Sequence, residues 1–236
     1  MLFRSRMLEP LVGRPIRSVK LPSRYVEQAA LFNGQSIDAI ETRGKHLLFH
    51  CSNNLIIHCH AMMYGSWQIG KPGMPIRKEE KYVRLRFLTV DLEAVFFHGP
   101  VVELLRTRDL ETHGSLSALG PDILNPRFDS DEVWERLRIE TTREIGDLII
   151  DQNVVSGIGN IYKSEGLYLA SINPRQQASE IPRDRLDRIW KIIKPLMWRG
   201  AMSNGFITTI PGHLRKGDER NWVYRRRGRN CFRCGT

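Results

Sequence analysis

The sequence lacks the features of a membrane-spanning chain and of a secreted, disulfide-rich one. Its 236 residues contain no run of about 18 apolar residues, which a membrane-spanning helix would require. The start, Met-Leu-Phe-Arg-Ser-Arg, has no apolar stretch of the kind found in secretory signals. Four cysteines occur, and in a chain with cytosolic character they are not expected to form a disulfide framework. These absences predict a cytoplasmic protein with no membrane partner.

Basic residues are in excess. Lys and Arg number 36 against 26 Asp and Glu, which gives a formal net charge of +10. Residues 211–236 hold eight of the basic residues and two acids. Such a balance favours a polyanionic partner, most simply nucleic acid. A disordered, solvated tail is the alternative, but the interleaved Trp222, Tyr224 and Phe232 favour a folded or DNA-ordered segment.

The chain changes character near its middle. Short apolar or alternating runs over 47–51, 55–60, 82–87 and 94–97 predict strands, and several short strands with turns between them favour a β-sandwich or barrel. Beyond Gly120-Pro121 the pattern is helical. One residue of Asp129-Ser130-Asp131 is expected to cap a helix running through Leu137, and residues 184–197 carry apolar side chains at helical spacing.

The run from Asp151 to Tyr162 predicts a phosphate-binding turn that opens a helix. Gly157 and Gly159 let the backbone approach a ligand closely and adopt positive φ at little cost. The predicted helix over 160–170 would direct its free N–H groups and the positive end of its dipole at that ligand.

This run resembles the helix–two-turns–helix element of the formamidopyrimidine-DNA glycosylase and endonuclease VIII family. Four other segments resemble the same family, in family order, and the match covers about Gly13 to the last residue. Glu41–Leu48 resembles the family's lysine-bearing hairpin, and His60–Trp67 resembles its void-filling loop in the endonuclease VIII style. Leu119–Leu124 resembles the interdomain stretch, and Arg229–Gly235 resembles half of the zinc finger.

The resemblance implies an α+β fold that binds duplex DNA between two lobes. We expect an N-terminal β-sandwich domain over 1–122, a helix–two-turns–helix domain over 123–212 and an incomplete zinc-finger segment over 213–236. We also expect a monomer that associates with the nucleoid.

The resemblance assigns roles to residues in the first domain. Lys45 is the auxiliary catalytic lysine, which contacts phosphates beside the lesion; without the resemblance, a lysine at a hairpin tip is most simply solvated. Met62, Met63 and Tyr64 fill the gap left by an extruded base, and the alternative for three large apolar side chains is core packing.

In the second domain, the resemblance assigns backbone phosphate binding to Gly157, Gly159 and Asn160. The alternative for an asparagine at a helix start is an ordinary N-cap.

The family nucleophile is an N-terminal proline amine followed by a glutamate, and this chain begins Met1-Leu2-Phe3. Pro10 is no substitute because its nitrogen lies in an amide, and Glu9 is in the wrong order. An upstream start is favoured over an inactive descendant, and the 236-residue polypeptide is expected to lack lyase activity.

Cys231 and Cys234 have the spacing of half a structural zinc site, which needs four ligands. His213 is the nearest further candidate, but its spacing does not support it. We expect zinc binding here to be weak or absent unless further residues complete the site. A redox pair is the alternative, although no thioredoxin-like context surrounds the motif.

The favoured function is base-excision repair: a DNA glycosylase with apurinic/apyrimidinic lyase activity on oxidised bases in duplex DNA. The first alternative is a catalytically inactive protein of the same fold that binds damaged DNA. The second is a general nucleic-acid module, which would have no use for the Lys45 and Met62–Tyr64 segments.

Overall fold

The computed structural model describes residues 2–140, 142–203, 207–214 and 219–235. The chain forms two compact units, residues 1–117 and 118–236. This division falls slightly before the predicted boundary at residue 122, and the separate assignment of 213–236 stays a prediction. Among the described residues, no helix has the length and apolar character needed to cross a membrane.

Within its described residues, the first unit contains eight strands and two α-helices. They are α1 (Leu2–Leu8), β1 (Ser18–Lys20), β2 (Ile37–Arg43), β3 (His46–Cys51), β4 (Leu55–His60), β5 (Ser66–Gly70), β6 (Val83–Leu88), β7 (Glu93–Phe97), β8 (Val101–Arg106) and α2 (Gly114–Ser117). The strands form two four-stranded antiparallel sheets, ordered β1-β6-β7-β5 and β2-β3-β4-β8.

The two sheets pack face to face through aromatic side chains. The ring of Phe49 on β3 lies 5.0 Å from that of Phe87 on β6 and 5.5 Å from that of Trp67 on β5. The predicted alternation of β6 is confirmed, because Val83, Leu85 and Phe87 are all buried. Burial alternates along β6, whereas β3, β4 and β7 are buried along most of their length, and the two packed sheets form the predicted β-sandwich.

Two cysteines of this sandwich are buried. Cys51 on β3 and Cys59 on β4 are free thiols inside the core. Burial raises the pKa of Cys51 to about 12 and raises the pKa of Cys59 well above its ordinary value. Both thiols are consequently unreactive at neutral pH.

Helices dominate the second unit. They are α3 (Ser130–Ile139), α4 (Ile145–Leu148), α5 (Asn160–Ala170) and α6 (Arg183–Met202). The predicted cap on α3 is confirmed, since Asp129 accepts a hydrogen bond of 2.8 Å from the Asp131 backbone N–H. The predicted apolar face of α6 is buried in the core, and the helix continues past the predicted end at Met197. The α+β fold class is therefore confirmed.

Short 3-10 helices connect these elements. They lie at Glu9–Leu11, Ser23–Tyr25, Glu27–Phe32, Glu80–Tyr82, Thr107–Asp109, Ala178–Glu180 and Gly212–Leu214.

Candidate nucleic-acid interface

Lys45 lies in the tight turn between β2 and β3. Gly44 precedes it with φ of +54°, a left-handed conformation that favours glycine. The Lys45 side chain is half-buried, and burial lowers the pKa of its ammonium from 10.5 to about 8. A fully solvated tip lysine does not fit this setting. On the order of a hundredfold more of the amine is neutral at pH 7 than for an ordinary lysine.

Three consecutive large hydrophobic residues form the turn that follows β4. Met62, Met63 and Tyr64 are 61%, 82% and 76% exposed. Core packing, the alternative for these side chains, is therefore wrong. Gly65 ends the turn. No side chain fits at this position, because a Cβ there would lie 2.5 Å from the Ala61 carbonyl oxygen. Exposed apolar side chains held on a tight turn are typical of a binding surface.

The register of the sheet places the Lys45 turn and the turn of residues 62–64 at the same end of the sheet. His46, the first residue of β3, pairs with His60, the last residue of β4. The turn holding Lys45 and the turn holding residues 62–64 therefore extend from neighbouring strands at one end of the first unit. A cation and an apolar triad in this arrangement can contact a phosphate and a base stack together.

The glycine turn of the second unit leads directly into α5. Gly157 has φ of +99°, whereas Gly159 has φ of −126° and acts as the N-cap. Only Gly157 thus uses the conformational freedom predicted for both glycines. The Gln152 side chain fixes the turn by accepting from the Gly157 N–H at 3.0 Å and donating to the Ile158 carbonyl at 3.2 Å.

Asn160 is the first residue of α5, and its side chain is exposed. The helix covers Asn160–Ala170, as predicted. The N-cap alternative for Asn160 is wrong because Gly159 occupies that position without a side-chain cap. The first N–H groups of an α-helix have no acceptor within the helix, so this end of α5 can bind an anion.

Glu165, on the same helix, is a buried carboxylate that sequence analysis did not select. It is fully buried. One oxygen accepts from the backbone N–H groups of Val223 at 2.9 Å and Tyr224 at 2.8 Å. The other accepts from the Trp222 N–H at 2.7 Å and from the Thr209 hydroxyl. The carboxylate therefore ties the basic C-terminal segment to α5.

Aromatic and cationic side chains add to this attachment. The Arg233 guanidinium lies 4.5 Å from the centre of the Tyr168 ring on α5, and the Trp222 and Phe232 rings meet edge to face at 5.9 Å. The prediction of a folded segment is confirmed for the described residues 219–235.

Cys231 and Cys234 lie in a turn of this segment. The backbone N–H groups of Cys234 and Arg233, with the Tyr168 hydroxyl, lower the pKa of the Cys231 thiol to about 6. Thiolates are the form that binds zinc, so the pair fits half of a tetrahedral site. Within the described part of the chain, no third histidine, cysteine or carboxylate joins the pair, and His213 is not grouped with it.

A histidine cluster of the first unit also went unselected. His46, His58, His113 and Glu103 are linked by hydrogen bonds. The sequence offers one local signal of this cluster: the spacing of His58 and His60, which places both on one face of β4. The cross-strand partners depend on the register, which periodicity does not supply.

Two protein-family descriptions match the chain. Residues 2–100 match the N-terminal domain of formamidopyrimidine-DNA glycosylase, and residues 119–211 match the H2TH domain of the same family.

Known proteins are similar over nearly the whole chain. A probable endonuclease 8 of Streptomyces coelicolor is 34% identical over 233 residues, which cover 98% of this chain and 81% of that protein. The endonuclease 8 of an Enterobacter strain is 30% identical over 204 residues, with 86% and 76% covered.

Solved structures of formamidopyrimidine-DNA glycosylase from Lactococcus lactis share the fold. One complex, with DNA containing N7-benzyl-Fapy-dG, has a TM-score of 0.83 at 25% identity, covering 100% of this chain and 90% of that one. Another, with DNA containing an abasic site, has a TM-score of 0.82 at 25% identity, with 99% and 89% covered. The sandwich, the glycine turn before α5 and these matches together place the chain in the formamidopyrimidine-DNA glycosylase family, with endonuclease 8 proteins among its relatives.

Proposed function

We propose that this protein is, by family, a base-excision-repair DNA glycosylase with apurinic/apyrimidinic lyase activity on oxidised bases in duplex DNA, although none of its described residues is assigned the place of the family's proline nucleophile. The observation that supports this proposal most directly is at one end of the first unit, where a lysine of lowered pKa lies on the turn next to three exposed hydrophobic side chains. Family membership supports the same activity. The partner is double-stranded DNA with a damaged base or an abasic site, as in the Lactococcus lactis complexes. The protein then acts as a monomer at the cytoplasmic nucleoid.

Lys45 suits an auxiliary role in this chemistry. Its ammonium form can bind a phosphate beside the lesion. Its neutral form, accessible because the pKa is about 8, can accept a proton during strand cleavage. Half-burial supports this dual use, since it partly desolvates the side chain.

Met62, Met63 and Tyr64 form the wedge of the proposed mechanism. Chemistry on a base requires that the nucleotide leave the stack, which costs a few kcal/mol per step. Three exposed apolar side chains on a tight turn can enter the resulting gap. They would stabilise the opened duplex more than the intact one.

Gly157, Gly159 and Asn160 form a phosphate cradle at the start of α5. The positive φ of Gly157 and the bare Gly159 cap leave the helix N–H groups accessible to a phosphate oxygen. The exposed Asn160 amide can donate a further hydrogen bond.

Cys231 and Cys234 are the proposed zinc-binding half of a finger. A structural zinc ion would hold this turn together, but the described residues supply only two of its four ligands. We therefore assign no step of the reaction to the ion.

Binding to a fluorescent duplex with one abasic site, against the undamaged duplex in moderate salt, tests the proposal. We expect tighter binding to the abasic duplex, and equal affinity for both would overturn the proposal. Borohydride treatment of the complex separates the two functions of this fold. Selective binding together with a trapped covalent adduct supports the lyase and contradicts the expectation that this polypeptide lacks lyase activity, whereas selective binding without an adduct supports a damaged-DNA-binding protein.

Met63→Ala tests the wedge. Because Met63 is the most exposed of the three side chains, its truncation is expected to lower the preference for abasic over intact duplex roughly tenfold. Val90→Ala is the matched control, since Val90 is an exposed hydrophobic residue of the same unit outside the turn. The same loss in both variants, or none in Met63→Ala, would contradict the wedge assignment.

A further inference from the structure

Two histidines and a glutamate converge at one point of the first unit. The Nδ1 atom of His58 on β4 lies 2.9 Å from Oε2 of Glu103 on β8. The Nε2 atom of His113, the residue before α2, lies 3.1 Å from the same oxygen. The candidate ligand atoms of the three side chains all lie within 4.8 Å of one another. Three separate segments of the chain thus direct nitrogen and oxygen atoms at one small volume.

The remaining ring nitrogen of each histidine also has a partner. The Nε2 atom of His58 lies 2.8 Å from Nδ1 of His46, and Nδ1 of His113 lies 3.3 Å from the Ser115 hydroxyl. Histidines that bind metals characteristically place their second ring nitrogen on such an outer partner, which fixes the tautomer and the ring orientation. Each ring therefore has one nitrogen facing Glu103 and the other facing a hydrogen-bond partner that orients the ring.

We propose that His58, Glu103 and His113 bind one divalent transition-metal ion of the zinc class. Bonds of about 2.1 Å in a tetrahedral site place the ligand atoms roughly 3.4 Å apart. The two histidine nitrogens lie 2.9 and 3.1 Å from Glu103 Oε2, a few tenths of an ångström closer than this, and all three ligand atoms lie within 4.8 Å of one another, so small side-chain rotations would let them bind one ion. His113 and Glu103 are 19% and 30% exposed, so an ion can enter and water can complete its coordination.

The donor set decides the class of ion. Two imidazoles and one carboxylate suit zinc and its neighbours, whereas magnesium and calcium prefer oxygen ligands alone. The ion would join β4 and β8 to the residue before α2 and so stabilise the first unit. This site is separate from the cysteine pair and is independent of the proposed repair activity.

Zinc titration followed by calorimetry tests the site in a Cys231→Ser, Cys234→Ser chain, which removes the thiolate pair. We expect one equivalent of zinc to bind, and His113→Gln to weaken that binding at least tenfold. His50→Gln is the matched control, because His50 contacts the Glu41 carboxylate at 2.9 Å outside the cluster. The zinc affinity of the His50→Gln variant should be unchanged. Absence of binding, or equal affinity with and without His113, would overturn the proposal.

Cobalt provides a second measurement on the same Cys231→Ser, Cys234→Ser chain, in which no thiolate pair can bind the ion. The imidazole-carboxylate site should add visible d–d bands without thiolate charge-transfer absorption, and Glu103→Gln should remove those bands. His46→Gln should weaken zinc binding about 10- to 100-fold, as expected when the outer partner of a ligating histidine is lost. Circular dichroism of each variant establishes that the fold is retained. Cobalt bands that persist in Glu103→Gln would contradict the assignment.

Discussion

Glu165→Gln is expected to lower the free energy of unfolding of the second unit by about 3 kcal/mol. The buried carboxylate accepts hydrogen bonds from three backbone N–H groups and one hydroxyl, and these donors belong to Thr209, Trp222, Val223 and Tyr224. A glutamine retains one acceptor oxygen and presents an NH₂ group to the other donors. At least one buried donor then has no acceptor, and hydrogen bonds to a charged group are lost.

Denaturant unfolding followed by tryptophan fluorescence measures this effect, since Trp222 lies in the attached segment. Limited proteolysis gives a local readout, with faster cleavage within 219–235 expected in the variant. Glu135→Gln is the matched control because Glu135 is exposed on α3, where an ion pair contributes little. Equal unfolding midpoints for the two variants would show that the carboxylate does not hold the segment.

Lys45→Met is expected to weaken binding to abasic duplex by about 1.5 kcal/mol, roughly tenfold in Kd. The physical reason is the loss of one charged hydrogen bond to phosphate. The slope of log K against log salt should fall by about one. Binding isotherms at four salt concentrations measure both quantities.

The lowered pKa of Lys45 also predicts a pH dependence. In the protein without DNA, the Lys45 ammonium loses its proton as the pH rises through about 8, whereas a bound phosphate favours the ammonium form. Binding therefore takes up a proton, and affinity should fall between pH 7 and pH 9. Lys45→Arg, which stays charged, should retain affinity and lose this component of the slope. An unchanged pH slope in both variants would rule out Lys45 as the titrating contact.

Local sequence patterns predicted the strands β3, β4, β6 and β7 and the helices α3, α5 and α6, but not β1, β5, β8, α1, α2 or α4. The alternation of β6, the Asp129 cap of α3 and the start of α5 at Asn160 each follow from short-range rules: side-chain period, capping and glycine placement. Periodicity alone did not predict the exposure of Met62 to Tyr64. Three large apolar side chains in a row are compatible with a core, and only the resemblance to a family favoured a surface role.

Contacts between distant segments were beyond sequence analysis. Glu165 was an ordinary residue of a predicted helix until the fold brought residues 209 and 222–224 onto its carboxylate. His58 and Glu103 are 45 residues apart and meet because β4 pairs with β8 in one register. No local pattern encodes such a register.

The sequence by itself determined the α+β class, the basic character and the family, because composition and short motifs carry that information. The tertiary structure decided the half-burial that lowers the Lys45 pKa, the exposure of the wedge, and the convergence of His58, His113 and Glu103. Desolvation and multi-residue sites depend on which distant atoms pack together, and that is settled only when the chain has folded.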